Sequence, residues 1–130
     1  MNRRMDMTQS FENVIAWQKA HAFVLLVYEI TRGFPDDERF GLTSQFRRAA
    51  VSIEANFAEG YRKLGKADKL RFFNTSEGSM SECKDYIILA RDLGYITMEQ
   101  YEQLRTVSEE ASKFIVMYSN GVLNNAGIKS

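Results

Sequence analysis

Ser52, Asn56 and Glu59 stand four and three residues apart, with Arg48 and Gln45 upstream at the same kind of spacing. On a helix turning about 100° per residue, all five fall in one narrow stripe. A hydroxyl, an amide and a carboxylate on one face are the groups from which a nucleophile with acid/base help is built. The only histidine, His21, belongs to a different segment, so the stripe contains no ordinary triad. No catalytic residue is assigned, and a hydrolase lacks a convincing catalytic group. Gln45, Arg48, Ser52, Asn56 and Glu59 read instead as a buried structural network at a helix or subunit contact. Each polar group there needs a partner, because an unsatisfied one costs about 1–3 kcal/mol.

A second set of residues suits phosphate chemistry. Arg62, Lys63, Lys66, Lys69 and Arg71 surround one turn, with Tyr61 and Phe72 at its edges. Cations there meet phosphate oxygens, and an aromatic ring can stack on an unpaired base. Arg47 joins this nucleic-acid set through the donor fork of its guanidinium. It points about 100° away from Arg48, so the two cannot share the polar stripe. For both arginines the alternative is an ion pair, with Glu59 or with a neighbouring subunit.

Metal and redox chemistry find little support. Cys83 is the sole cysteine, which rules out an internal disulfide and suits a small core residue. Gln18 stands three residues before His21, where ferritin-like di-iron bundles place Glu. No metal or other cofactor is expected. The formal net charge is zero, but residues 39–71 hold eight Lys/Arg against three Asp/Glu, and both flanks carry an acidic surplus. A neutral chain can thus carry a local basic surface.

The elements that must position these residues are helical. Pro35 is the one proline, in Gly33-Phe34-Pro35-Asp36-Asp37-Glu38, and marks the clearest break. Before it, Val14, Trp17, Ala20, Val24, Val27, Tyr28 and Thr31 recur at three- and four-residue steps. After it, Leu42, Phe46, Ala49, Ala50, Ile53 and Phe57 form the apolar arc beside the polar stripe, and Gly60 permits close approach or loosens the helix. Phe72, Phe73, Met80, Cys83, Ile87 and Ala90 share a third arc with small Ser76 and Ser79. Thr97 and Gln100 form a capping box before Leu104, Val107, Ala111, Phe114 and Tyr118. These patterns predict helices over about 11–32, 42–63, 66–92 and 98–122, with frayed tails at 1–10 and 121–130. They specify one domain spanning 1–130, an all-α antiparallel up-and-down four-helix bundle. Strand signals are missing.

Several of these motifs, read together, also carry a resemblance. They are Phe11, Ala16-Trp17-Gln18-Lys19-Ala20, Phe34-Pro35, Glu38, Gly41-Leu42-Thr43-Ser44-Gln45, Arg47 through Ile53, Ala55 through Gly60, Arg71-Phe72-Phe73, Gly78-Ser79, Glu82 and Leu93-Gly94-Tyr95-Ile96. The chain resembles, from Phe11 to Tyr118, the four-helix-bundle family typified by 23S rRNA intervening-sequence proteins of bacteria. That resemblance implies an antiparallel bundle, assembly as a ring of five, and no enzymatic activity. It also implies kinship to the accessory protein of diversity-generating retroelements, which binds nucleic acid and a reverse transcriptase. One departure stands out: Glu54 occupies a place where the family commonly has proline, which puts the expected bend in doubt.

The functional expectation is a non-enzymatic homopentamer that binds RNA or another nucleic acid through Arg47, Arg62, Lys63, Lys66, Lys69 and Arg71, mainly by phosphate contacts. The alternative is an oligomeric scaffold or retroelement accessory protein that recruits a protein partner such as a reverse transcriptase. Subunit contacts are expected on the first helix and on the polar stripe of the second. No apolar run approaches the roughly 20 residues of a membrane span, and no secretory signal follows the first basic residues. The expectation is a cytoplasmic protein without a membrane partner.

Overall fold

The computed structural model describes residues 10–129, with side chains described to residue 125. Its helices are α1 (Ile15–Thr31), α2 (Leu42–Arg62), α3 (Lys66–Asp92) and α4 (Met98–Lys129). Single 3-10 turns, Phe11–Asn13 and Asp36–Glu38, precede α1 and α2. No strand occurs among the described residues.

Contacts across each seam fix an antiparallel order. Between α2 and α3, Ser52 meets Ser79, Ile53 meets Ser76 and Gln45 meets Tyr86, so one number rises as the other falls. Between α1 and α2 the pairs are His21 with Glu54 and Thr31 with Arg47. Phe73 with Tyr118 and Arg91 with Tyr101 set α3 against α4. Lys19 with Glu110, 3.1 Å apart, ties α4 back to α1. The four helices close a ring in chain order, the arrangement that short connections dictate.

The apolar arcs meet in the middle. Leu42, Phe46, Ala49, Ala50, Ile53 and Phe57 of α2 are all buried, as are Phe73, Met80, Cys83, Ile87 and Ala90 of α3. Leu104, Ala111 and Ile115 complete the core from α4, and Phe23, Val24 and Val27 from α1. Burial pushes the Cys83 thiol up to about 12, with the Glu82 charge adding to the shift, so the group stays protonated and inert.

Small residues bring α2 and α3 together. The buried Ser76 hydroxyl donates to the Ile53 carbonyl at 2.7 Å, which satisfies it without water. A Cβ added at Gly60 would lie 2.8 Å from Phe73 Cε1 and 2.9 Å from Phe72 Cβ. Close approach is therefore the role of this glycine, not a loosened helix.

The helix ends follow local chemistry. Thr97 Oγ1 accepts from the Gln100 N–H at 3.0 Å, and Gln100 Oε1 accepts from the Thr97 N–H at 2.9 Å, a complete capping box. At the end of α3, Gly94 takes φ 75°, while Tyr95 N–H donates to Ala90 O and Gly94 N–H to Arg91 O, a Schellman turn. Two boundaries differ from the sequence reading. α1 starts at Ile15, after a 3-10 turn capped by the Ser10 hydroxyl. α4 runs past residue 122 to Lys129, because Tyr118 and Val122 still pack on the core and no proline interrupts the helix beyond Gly121. The expected frayed segment at 1–10 lies outside the described residues apart from Ser10. α2 continues unbroken through Glu54, so no proline-type break occurs there.

Candidate nucleic-acid interface

The bundle has two poles. One carries the α1–α2 connection around Pro35 and the α3–α4 turn; the other carries the α2–α3 turn, the start of α1 and the later part of α4. Five of the six cations expected to meet nucleic acid gather at the second pole. Arg62 ends α2, Lys63 and Leu64-Gly65 make the turn, and Lys66, Lys69 and Arg71 occupy the first turns of α3.

Each of the five has a distinct environment. Arg62 is exposed and has no acidic partner among the described residues, and Lys66 likewise has none. Lys63 lies 3.4 Å from Glu59 and over the Phe72 ring at 5.2 Å. Arg71 pairs with Asp68 at 3.2 Å and also overlies Phe72, at 4.7 Å. Exposed pairs one helical turn apart are worth only a few tenths of a kcal/mol, so phosphate can displace them. Lys69 differs: its Nζ donates to the Tyr61 carbonyl at 2.6 Å and to the Gly60 carbonyl at 3.4 Å. It closes the C-terminus of α2, where the helix dipole favours a cation, and partial burial lowers its pKa.

Arg47 stands apart from this cluster, about 22 Å from Arg62 along α2 at 1.5 Å per residue. Its Nε donates to Thr31 Oγ1 at 2.8 Å, an Nη donates to the Tyr28 carbonyl at 3.4 Å, and the guanidinium covers the Tyr28 ring at 4.6 Å. The donor fork that suggested phosphate instead caps the last turn of α1.

The polar stripe divides into separate parts, lies half-buried to exposed, and is not a single buried network. Ser52 Oγ meets Ser79 Oγ at 2.8 Å, and Asn56 Nδ2 donates to the Ser52 hydroxyl and carbonyl, both at 2.9 Å. The Tyr86 hydroxyl donates to Glu82 at 2.8 Å and lies 3.3 Å from Gln45 Oε1. Burial and Glu82 together raise Tyr86 to about 12. Arg48 is exposed beside these groups and pairs with no acid among the described residues. Its expected pair with Glu59 does not form: eleven helical positions separate them by about 16 Å, and Glu59 turns to Lys63. A shallow groove of about 290 Å³ runs along this seam. Its lining of Gln45, Arg48, Ser52, Ser79, Glu82 and Tyr86 offers hydrogen-bonding groups.

A larger groove, about 770 Å³, opens directly beside the basic turn. Phe11, Tyr61 and Tyr118 line it together with Arg62, Lys63, Leu64 and Lys69. Tyr61 and Tyr118 lie 6.2 Å apart between ring centroids. Burial raises the Tyr118 pKa, with a smaller push from Tyr61. The sequence reading missed that Phe11 and Tyr118 line this groove, because both lie far from the basic turn in sequence and only the bundle brings them to it. It also missed the pairing of His21 Nδ1 with Glu54 Oε1 at 2.9 Å, with His21 stacked on Trp17. Glu54 was conspicuous as the family departure, but its partner comes from another helix.

Among the described residues, no group of three or more His, Cys, Asp or Glu is placed to hold a metal ion, and no helix is long and apolar enough to cross a membrane.

A family model described as 23S rRNA-intervening sequence protein matches residues 12–117. The fold is similar to the crystal structure of a protein of unknown function, from the S23 ribosomal protein family, from Bacteroides thetaiotaomicron. That similarity has a TM-score of 0.75 at 23% identity, covering 82% of this chain and 96% of that one. At this identity it speaks for the fold alone. No curated protein matches the chain.

Proposed function

Because the chain belongs to the 23S rRNA-intervening sequence protein family, we propose that it is a non-enzymatic, oligomeric RNA-binding bundle of the cytoplasm that grips the phosphate backbone through its α2–α3 turn. The observation that carries this reading is the convergence of Arg62, Lys63, Lys66 and Arg71 on one pole, where Arg62 and Lys66 have no acidic partner among the described residues. A net-neutral protein that concentrates cations in one place attracts a polyanion locally and is repelled little elsewhere. Arg47 is left out of the interface because it stands about 22 Å from Arg62 along α2, with its Nε and one Nη engaged at the end of α1, and Lys69 supports the turn from beneath.

Assembly with further copies, a ring of five in the family pattern, would multiply the contact by bringing several such turns onto one RNA. Large apolar residues left exposed on α1 and α4, Leu25 and Met117 among them, support that assembly.

Fluorescence anisotropy with a structured RNA fragment at several salt concentrations tests the reading. Saturable binding should weaken steeply as salt rises, as expected when several phosphate contacts release counterions. Arg62→Glu combined with Lys66→Glu should remove that binding while leaving the assembly mass unchanged. Undiminished affinity in the double variant would dismiss the turn as the contact. Absence of RNA binding by the intact oligomer would instead favour a scaffold that recruits a protein.

A further inference from the structure

We propose that the groove beside the basic turn holds an unpaired RNA base, with Tyr61 as the stacking surface, Leu64 as its outer lip, and Arg62 receiving the adjoining phosphate. The inference rests on the RNA reading above and adds what the phosphate contacts alone cannot supply, a preference for unpaired over paired RNA.

Three observations converge on it. The groove, about 770 Å³, has the size of sites that take one small molecule, roughly 300–1,000 Å³. That volume is enough for one or two nucleotides. Its walls combine the rings of Phe11, Tyr61 and Tyr118 with the cations of Arg62, Lys63 and Lys69. That pairing of π surface and positive charge is what single strands require, since every base has a stacking face and every nucleotide a phosphate. The third observation is Leu64, 99% exposed and set between Lys63 and Lys66 at the tip of the turn. An apolar side chain held wholly in water among cations gains by covering a base at the groove mouth.

The ring and carbonyl of Tyr61 and the ring of Tyr118 are held by contacts of their own. Lys69 Nζ holds the Tyr61 and Gly60 carbonyls and lies 5.7 Å from the Tyr61 ring centroid. Tyr118 in turn packs edge-on against Phe57 and Phe73 of the core. Phe72, the other aromatic of the turn, does not line the groove and is overlaid by two cations, Lys63 and Arg71, where Tyr61 meets one, Lys69. A lipid surface is the other occupant that a leucine among cations can suggest. It is disfavoured because Leu64 alone protrudes at the turn, and membrane anchoring scales with buried apolar area.

The test compares two RNA hairpins, one fully paired and one with a single bulged 2-aminopurine, titrated by anisotropy and by the fluorescence of the bulged base. The wild-type protein should bind the bulged hairpin about tenfold more tightly and quench the base, the size of effect expected of one stacked nucleotide. Leu64→Ala and Tyr61→Leu should each erase most of that preference while leaving the paired hairpin's affinity and the salt slope unaltered. Because Leu64 touches no core, loss of fold cannot mimic its result. Equal wild-type affinity for both hairpins, with a steep salt slope, would overturn the groove and leave the phosphate grip standing. No binding to either RNA would remove both. Sedimentation with phosphatidylglycerol vesicles that depends on Leu64, without preference for the bulge, would overturn the proposal in favour of a lipid surface.

Discussion

Between α2 and α3 at Gly60 there is space for a hydrogen and nothing larger. The nearest obstacles to a Cβ are ring atoms of Phe73, itself packed against Phe57 and Tyr118, together with the Phe72 Cβ next to the α3 backbone. Neither can swing aside cheaply. Gly60→Ala should therefore lower stability by about 1–3 kcal/mol, as overpacking does elsewhere, measured as the free energy of urea unfolding. An unchanged midpoint and slope would show that the two helices separate without penalty. The apolar arc around Gly60 was legible in sequence, since six apolar residues at helical spacing have one plausible destination. The fates of Arg47 and Lys69 were not. A helical wheel gives the direction of a side chain but not which carbonyls a neighbouring helix end will offer it, and both residues are captured by such ends.

The start of α2 depends on an element outside it. One oxygen of Glu38 accepts the Leu42 N–H at 3.0 Å, and the other accepts the Tyr95 hydroxyl at 2.7 Å, which joins the α2 N-terminus to the α3–α4 turn. The Leu42 bond first, and the Tyr95 bond second, hold the Glu38 carboxyl below its ordinary value of 4.5. A folded pKa lower than the unfolded one contributes stability that is fully present above 4.5 and is lost as pH falls through the folded value. Melting temperatures of the wild type and Glu38→Gln should thus differ most near neutrality and converge in acid. Parallel curves across that range would rule out the linkage. The capping box at Thr97 was readable because cap and partner are three residues apart. The Glu38–Tyr95 bond was not, because its partners are brought together only by the antiparallel register. Helix existence and seam order followed from periodicity; the end of α4 did not, since composition alone made Gly121 resemble a stop.

At the scale of the whole molecule, the bundle satisfies its own core yet leaves Leu25 58% and Met117 56% exposed on α1 and α4. If these surfaces meet other copies, Leu25→Glu with Met117→Glu should reduce the mass measured by light scattering to that of one 15.0 kDa chain, with helical content preserved. A wild-type protein that is already a monomer would refute assembly. The four-helix ring was legible as a whole because each segment shows one buried arc. The groove was not, because it exists only where the α2–α3 turn, the start of α1 and α4 come together. That convergence also dictates how the molecule can be handled. Ser10 and Phe11 sit in the wall of the groove, and α4 runs on toward Lys129 at the same pole. A dye or surface tether attached at Ser10 or on the last turns of α4 would crowd the basic pole, whereas a label placed in the exposed Asp36–Asp37 stretch would leave it open.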